Sequence, residues 1–251
     1  MKYLFGRGAA GLLAEVARSR ALLAFDFDGT LAPIVADRDA AFMTRSTAAL
    51  LTRVAELYPC AVISGRGRAD VARRLGGANV KHVVGNHGLE PGADLEAVGR
   101  EMERARRSLE RSLGGVPGVE IEDKTYSLSV HFRGAPSRQA ALGEIDAAIA
   151  RVEGGMRVIP GKLVVNVVPA SAPNKADALL GLRSAEHADL ALYFGDDVTD
   201  EDVFELDQPG RVLSVRVGMS RVSAARYFLR CQREIDEALA ELANARAGGP
   251  T

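Results

Sequence analysis

"ALLAFDFDGTLAPI", residues 21–34, places two aspartates at the end of a run that is apolar from Ala21 to Phe25. Five apolar residues followed by a turn signal read as a strand buried on both faces, as in parallel sheets covered by helices. Residues two apart in a strand share a face. Asp26 and Asp28 are therefore expected to leave the sheet's C-terminal edge together, where open α/β sheets bind ligands. Gly29 permits a tight turn, and Thr30 can hold a carboxylate through its hydroxyl. Two adjacent carboxylates repel, so they call for a cation between them or for one kept protonated. The plain alternative is an acidic turn with no chemistry.

Similar runs recur further along the chain. "CAVIS" (60–64), "HVVG" (82–85), "LALYFG" (190–195) and "RVLSVRVG" (211–218) read as strands, and "STAALLTRVAEL" (46–57) has the spacing of an amphipathic helix. Their alternation predicts an α/β fold with a Rossmann-like parallel sheet. The middle of the chain differs. A long charged helix is expected over 94–113, alternating residues from Glu120, a second helix in "SRQAALGEIDAAIARV", and two strands in "MRVIPGKLVVNVVP". That order suits an antiparallel sheet with two helices on one face. The predicted organisation is a core of 1–91 and 170–251, interrupted by an inserted α/β domain at 92–169.

The 251 residues are 47% hydrophobic and 26% charged, which is enough for one sizeable core or a core plus a smaller domain. Lys plus Arg number 32 against 33 acids, a net charge of -1, so no polyanion partner is implied. The densest basic stretch, "REMERARRSLER", carries glutamates throughout and reads as a solvated helix face rather than a nucleic-acid arm. Cys60 and Cys231 have no metal or redox spacing, so reduced thiols are expected. No apolar run approaches the roughly 18 residues of a membrane span. Gly6, Arg7 and Glu15 interrupt any signal-peptide core. A soluble cytoplasmic protein with no nucleic-acid or membrane partner is the expectation; oligomeric state stays open, and a monomer is compatible with it.

A second motif competes for Asp26. Gly6, Gly8 and Gly11 spell G-x-G-x-x-G after a short apolar stretch, and Asp26 ends the next strand where a dinucleotide site places its ribose-binding acid. Against this reading, the first stretch is short and terminal, and Arg7 sits inside the turn. A glycine turn leading into a surface helix explains the same residues.

Three further clusters favour phosphate chemistry. "GDDVTDED" (195–202) follows a buried strand and brings a second acidic group to the same edge. Helix-start chemistry, with Thr199 as cap and Asp202 three residues on, would explain its later acids but not Asp196 and Asp197. Two carboxylate clusters at strand ends suit a hard ion, and Mg²⁺ is usual beside phosphate. "VISGR" (62–66) ends a strand with a hydroxyl and backbone amides able to hold an anion; a turn capped by Ser64 is the plain reading. "NKADALL" (174–180) puts Lys175 at an expected helix start, a place that disfavours cations unless an anion lies beside it. Otherwise Lys175 would be an exposed surface lysine.

Together, "DFDGTLAPI", "SGR", "NK" and "GDDVTDEDVF", in this order, resemble the haloacid dehalogenase superfamily of phosphatases. With "GNHG" and "EDKTYSLSVHFR" the likeness narrows to the trehalose-6-phosphate phosphatases, over about residues 20–206. The resemblance implies that Asp26 is the nucleophile that forms an aspartyl-phosphate. Asp28 would be the acid that protonates the leaving oxygen and then activates water. It further implies Mg²⁺ held by Asp26, the Asp28 carbonyl and Asp196 with Asp200 in support, and Ser64 and Lys175 on the transferring oxygens. The insert would be an α/β cap that reads the sugar, and Gly65, Arg66, Asn86, His87, Lys124, Lys162 and Asn166 would contact the substrate. The sequence departs from the family where a glutamate and an arginine often stand: here "VVNVVP" has Asn166 and Val168, and Ala176 replaces a usual glycine. These changes touch sugar recognition, not the core motifs. The implied reaction is hydrolysis of trehalose 6-phosphate. Another sugar phosphate (sucrose phosphate or a glycosyl-phosphoglycerate), a non-enzymatic sensor and the dinucleotide reading are the alternatives.

Overall fold

The computed structural model describes residues 1–92, 94–161, 163–206 and 211–248. In chain order the elements are β1 (Lys2–Tyr3), α1 (Leu12–Arg18), β2 (Ala21–Phe25), α2 (Arg45–Leu57), β3 (Cys60–Ile63), α3 (Arg68–Arg74) and β4 (His82–Val84). Then follow α4 (Leu95–Leu113), β5 (Glu120–Asp123), β6 (Leu128–His131), α5 (Arg138–Ile149), β7 (Met156–Gly161) and β8 (Val164–Pro169). The chain ends with α6 (Lys175–Ala185), β9 (Leu190–Gly195), α7 (Glu201–Phe204), β10 (Val212–Val217), β11 (Tyr227–Leu229) and α8 (Glu234–Ala247). It divides into two compact units, Met1–Pro91 with Pro173–Thr251, and Gly92–Ala172.

The first unit is built on a seven-stranded sheet of order β1-β11-β10-β9-β2-β3-β4, with parallel pairing between neighbours. Alternate residues of each strand serve opposite cores. Leu23, Phe25, Cys60, Val62, Leu192 and Phe194 face the cluster completed by α1, α2 and α8. Leu22, Ala24, Ala61, Ile63, Ala191 and Tyr193 face the one completed by α6 and α7. Each fully buried Leu or Phe side chain contributes about 1.5–3 kcal/mol, so a register slip on β2 would be costly on both faces. The same alternation points Asp26, next in line after Leu22 and Ala24, toward the α6 side.

This order removes the structural basis of the dinucleotide reading. Strand β1, just before the glycine motif, pairs with β11 at the sheet's edge, and three strands separate it from β2. The contiguous βαβ unit that would set Asp26 on a ribose is therefore missing. Gly8 lies in a short 3-10 turn, Arg7–Ala9, that leads into α1.

The second unit is a four-stranded antiparallel sheet of order β5-β6-β8-β7. Leu128, Val130, Val165 and Val167 face Met102, Ala105 and Leu109 of α4 and Ile145, Ala148 and Ile149 of α5. The alternate positions Glu122, Ser129, His131 and Asn166 belong to the other face, where Glu122, Ser129 and Asn166 are in register across three strands. Among the described residues no helix is long and apolar enough to cross a membrane.

Candidate active site

Asp26 follows β2 directly and is 5% exposed. Its backbone N–H donates to Phe194 O at 2.8 Å, which continues the β2–β9 ladder one residue past the strand. Lys175 opens α6, where Asn174 and Asp177 form a reciprocal capping box. That cap fixes the start of the helix and delivers Lys175 Nζ to Asp26 Oδ1 at 2.8 Å and Asp200 Oδ1 at 2.7 Å. Lys175 is 2% exposed and Asp200 fully buried, so the surface-lysine reading fails.

Asp200 is saturated by the protein. Its Oδ1 also accepts from the Tyr193 hydroxyl at 2.6 Å, and its Oδ2 accepts from the backbone N–H groups of Asp196 and Asp197 at 2.9 Å each. Thr199 is not the expected helix cap: it lies inside a 3-10 turn, Val198–Asp200, and Asp200 itself ties that turn to the strand end. Asp196 keeps a weaker contact, accepting from Thr30 Oγ1 at 3.4 Å. Gly29, at φ +82, meets it closely, since a Cβ there would lie 2.1 Å from Asp196 Oδ2. The turn after β2 thus needs glycine both for its backbone and for its neighbour.

One carboxylate oxygen from each of Asp26, Asp196 and Asp200 lies within 4.8 Å of the other two. Burial first, offset in part by Lys175 and reinforced by the charge of Asp200, pushes Asp26 up to about 7. Burial and the charges of Asp26 and Asp200 push Asp196 up to about 8. Asp200, paired with Lys175 and accepting from Tyr193 and the backbone, stays below the usual range despite its burial. One lysine therefore does not balance three acids. An all-oxygen cluster with that deficit fits a hard divalent cation. Asp26 and Asp196 are the acids with capacity for it, because the oxygens of Asp200 are already spent.

Asp28 does not join this cluster. Its oxygens accept from Arg66 Nε at 2.6 Å and Nη2 at 2.7 Å. β2 ends at Phe25, so Asp28 lies on the turn beyond the strand, with Arg66 as its partner. Arg66, expected on the substrate, instead has its guanidinium buried against Asp28 and Asp70.

The loops after β3 and β4 are locked together. Ser64 is buried and accepts from the Arg66 N–H at 3.2 Å; Gly67, not Ser64, caps α3. Asn86 N–H donates to Arg66 O and His87 N–H to Ser64 O, at 2.8 and 2.9 Å. A Cβ on Gly65 would lie 2.4 Å from the His87 ring, so the small residue of "SGR" is a packing requirement as well. In the second unit, Lys124 Nζ lies 3.5 Å from Glu122, which also pairs with His131 Nε2 at 2.9 Å. Asn166 Oδ1 accepts from Ser129 Oγ at 2.6 Å. Lys162 lies outside the described residues.

Three contributors escape the sequence reading. Tyr193 reads as one more apolar residue of a buried strand. Asp70 reads as a surface acid in the first turn of a helix. Arg216, on β10, donates to the Asp196 carbonyl and to Glu201 Oε1, fixing the acidic turn from a strand the motifs do not include.

Residues 24–233 match the family model described as trehalose-phosphatase. The chain belongs to that family. Trehalose-phosphate phosphatases of Mycolicibacterium paratuberculosis and Mycobacterium marinum are 37% and 35% identical to it, across 77% and 88% of this chain. The alignments cover only 53% and 60% of those relatives' length. Among solved structures, an Aspergillus fumigatus trehalose-6-phosphate phosphatase superposes with a TM-score of 0.73 at 26% identity, covering 98% of this chain and all of the other. The C-terminal domain of the C. albicans trehalose-6-phosphate phosphatase gives 0.68 at 26% identity, covering 93% and 96%.

Proposed function

We propose that this chain hydrolyses trehalose 6-phosphate to trehalose and phosphate, with Asp26 as nucleophile and Mg²⁺ as cofactor. The observation that carries this reading is the buried bridge from Lys175 to Asp26 and Asp200 beside Asp196, found in a chain of this family. An isolated buried cation of this kind would be expensive, and a ring of acids around it gains little stability by itself. Its use is to steer a carboxylate and receive a phosphoryl group.

Asp26 attacks phosphorus while the bond from phosphorus to the sugar oxygen breaks. Asp28 gives its proton to that oxygen, so trehalose leaves neutral and the phosphoryl group remains on Asp26. Asp28, now a carboxylate, takes a proton from the water that attacks phosphorus, and phosphate departs with Asp26 regenerated. Lys175 orients Asp26 and, with the Ser64 hydroxyl, offsets charge on the transferring oxygens. Asp26, the Asp28 carbonyl and Asp196 would hold Mg²⁺, with Asp200 positioning the turn. Bound there, such an ion would supply positive charge that favours an ionised Asp26 and offsets the dianionic ester.

Asn86, His87, Lys124, Lys162 and Asn166 are the proposed contacts to the sugar phosphate. Asn166 supports the trehalose assignment less directly than a glutamate would, but its amide can still serve a hydroxyl pair. The test is phosphate release with Mg²⁺ across trehalose 6-phosphate, sucrose 6-phosphate, glucose 6-phosphate and a glycosyl-phosphoglycerate. Preference for the first is expected, with loss of at least about 10³-fold in Asp26→Asn and complete loss on chelation, restored by Mg²⁺. Turnover of a different ester would keep the mechanism and move the substrate. Activity retained in Asp26→Asn would overturn the nucleophile assignment.

A further inference from the structure

Arg66 is the largest of the fully buried side chains, and nothing in the reaction outlined above uses it. Its guanidinium makes a two-pronged contact with Asp28 through Nε and Nη2, and Nη1 donates to Asp70 Oδ2 at 3.1 Å. Asp70 is itself held by Arg74 Nε on Oδ2 and Arg73 Nη2 on Oδ1, each at 3.0 Å. Arg74 in turn donates to the carbonyls of Asp39 and Ala41 at 3.0 and 2.7 Å. Arg66 also stands 5.9 Å from the Phe27 ring centroid, and its backbone is tied to Ser64 and Asn86. The side chain has no freedom to reach a phosphate.

We propose that Arg66, braced by Asp70, is the positioning residue of Asp28; this inference rests on the proposed phosphatase reaction. Asp28 stands beyond the end of β2, on a turn, and its side chain is 37% exposed. Left alone there, a carboxylate samples several rotamers. A guanidinium fork fixes both the position and the plane of a carboxylate, which a point charge cannot do. Each carboxylate oxygen has two lone pairs, so an oxygen accepting from Arg66 retains one directed elsewhere. Proton transfer needs a heavy-atom reach of about 2.6–3.2 Å, and misplacement by roughly 1 Å costs on the order of a hundredfold.

The role is separable from a structural one by the leaving group. An alkyl ester such as trehalose 6-phosphate needs its departing oxygen protonated, whereas p-nitrophenol departs as a stable anion. In kcat/KM, which reports only steps through departure of the alcohol, Asp70→Asn should lower trehalose 6-phosphate turnover by about tenfold or more. The same variant should lower p-nitrophenyl phosphate turnover by less than about threefold. Arg66→Lys should distort the ratio in the same direction, because an ammonium cannot span both oxygens. Unfolded protein scales both substrates equally, so the ratio is independent of the folded fraction. An equal loss on both esters would overturn the positioning role and leave the reaction standing. Faster turnover of trehalose 6-phosphate in either variant would overturn it too, making the pair a restraint on Asp28. A wild-type chain inactive on both esters would overturn the phosphatase reading itself.

Discussion

In the core unit, Asp26, Lys175, Asp200, Ser64 and Arg66 are all buried, and each holds at least one other member of the site or its loops in place. In the inserted unit, the polar residues on one sheet face are arranged differently. Lys124, Glu122 and His131 form a chain of loose pairs in which every side chain is more than a third exposed. Buried charges hold geometry because moving one strands another in a medium that cannot solvate it. Exposed ones are screened and can exchange partners, including for hydroxyl groups, at little cost. Under the proposed function, the contrast corresponds to a core whose chemistry tolerates no displacement and an insert whose contacts can be retuned.

The strongest way to break this comparison is Lys175→Met. It leaves Asp26 and Asp200 facing each other without the cation that pairs them, and should cost about 3–5 kcal/mol of folding stability. Urea unfolding with the slope compared between variants would measure it. A loss under about 1 kcal/mol would mean that the buried bridge is worth no more than a surface pair.

Tyr193→Phe sharpens the same point with a smaller change. Its hydroxyl is one of four donors on Asp200, alongside Lys175 and two backbone N–H groups. Hydrogen bonds to charged groups contribute about 1.5–3 kcal/mol, and the three remaining donors should keep the loss near the lower end. The midpoint of thermal unfolding should fall accordingly, with the acidic turn otherwise retained. An unchanged midpoint would show that Asp200 draws its stability from Lys175 and the backbone alone.

How far the site can be read in advance follows the same division. The buried strands announce themselves as apolar runs, and β2 and β9 occupy the spans that their runs predict. Lys175 is visible because a cation at a helix start opposes the helix dipole and so demands an anion. Strand parity does set the direction of Asp26. Asp28 lies past the strand's end, and its partner is an arginine from just beyond β3, a contact 38 residues away in the chain that no local pattern announces. Tyr193 is hidden because its ring satisfies the apolar pattern while its hydroxyl does the electrostatic work. The edge strand β1 and its neighbour β11 are two and three residues long, too brief for a periodic signal. The acids of the second cluster separate into two groups in the sequence, but only the folded turn shows that Asp200 spends its oxygens on the protein.

Glu122→Gln is expected to have the smallest effect, and it probes the insert directly. The bond from His131, followed by the charge of Lys124, holds the Glu122 carboxyl below its usual value against a modest burial penalty. A carboxylate held low in the folded state contributes stability that is present above its unfolded pKa and is lost as pH falls through the folded one. The amide variant would lack that dependence, so the difference between variant and wild type should shrink on acidification below about pH 4. Because Glu122 and Lys124 are well exposed, solvent screening should keep the stability change under about 1 kcal/mol at neutral pH. If this face reads the sugar, KM for trehalose 6-phosphate should rise severalfold while kcat stays close to the wild-type value, the signature of a binding contact shared by ground and transition states. A large stability loss would instead make the insert's polar face as structural as the core's buried bridge. A fall in kcat at constant KM would place Glu122 with the chemistry.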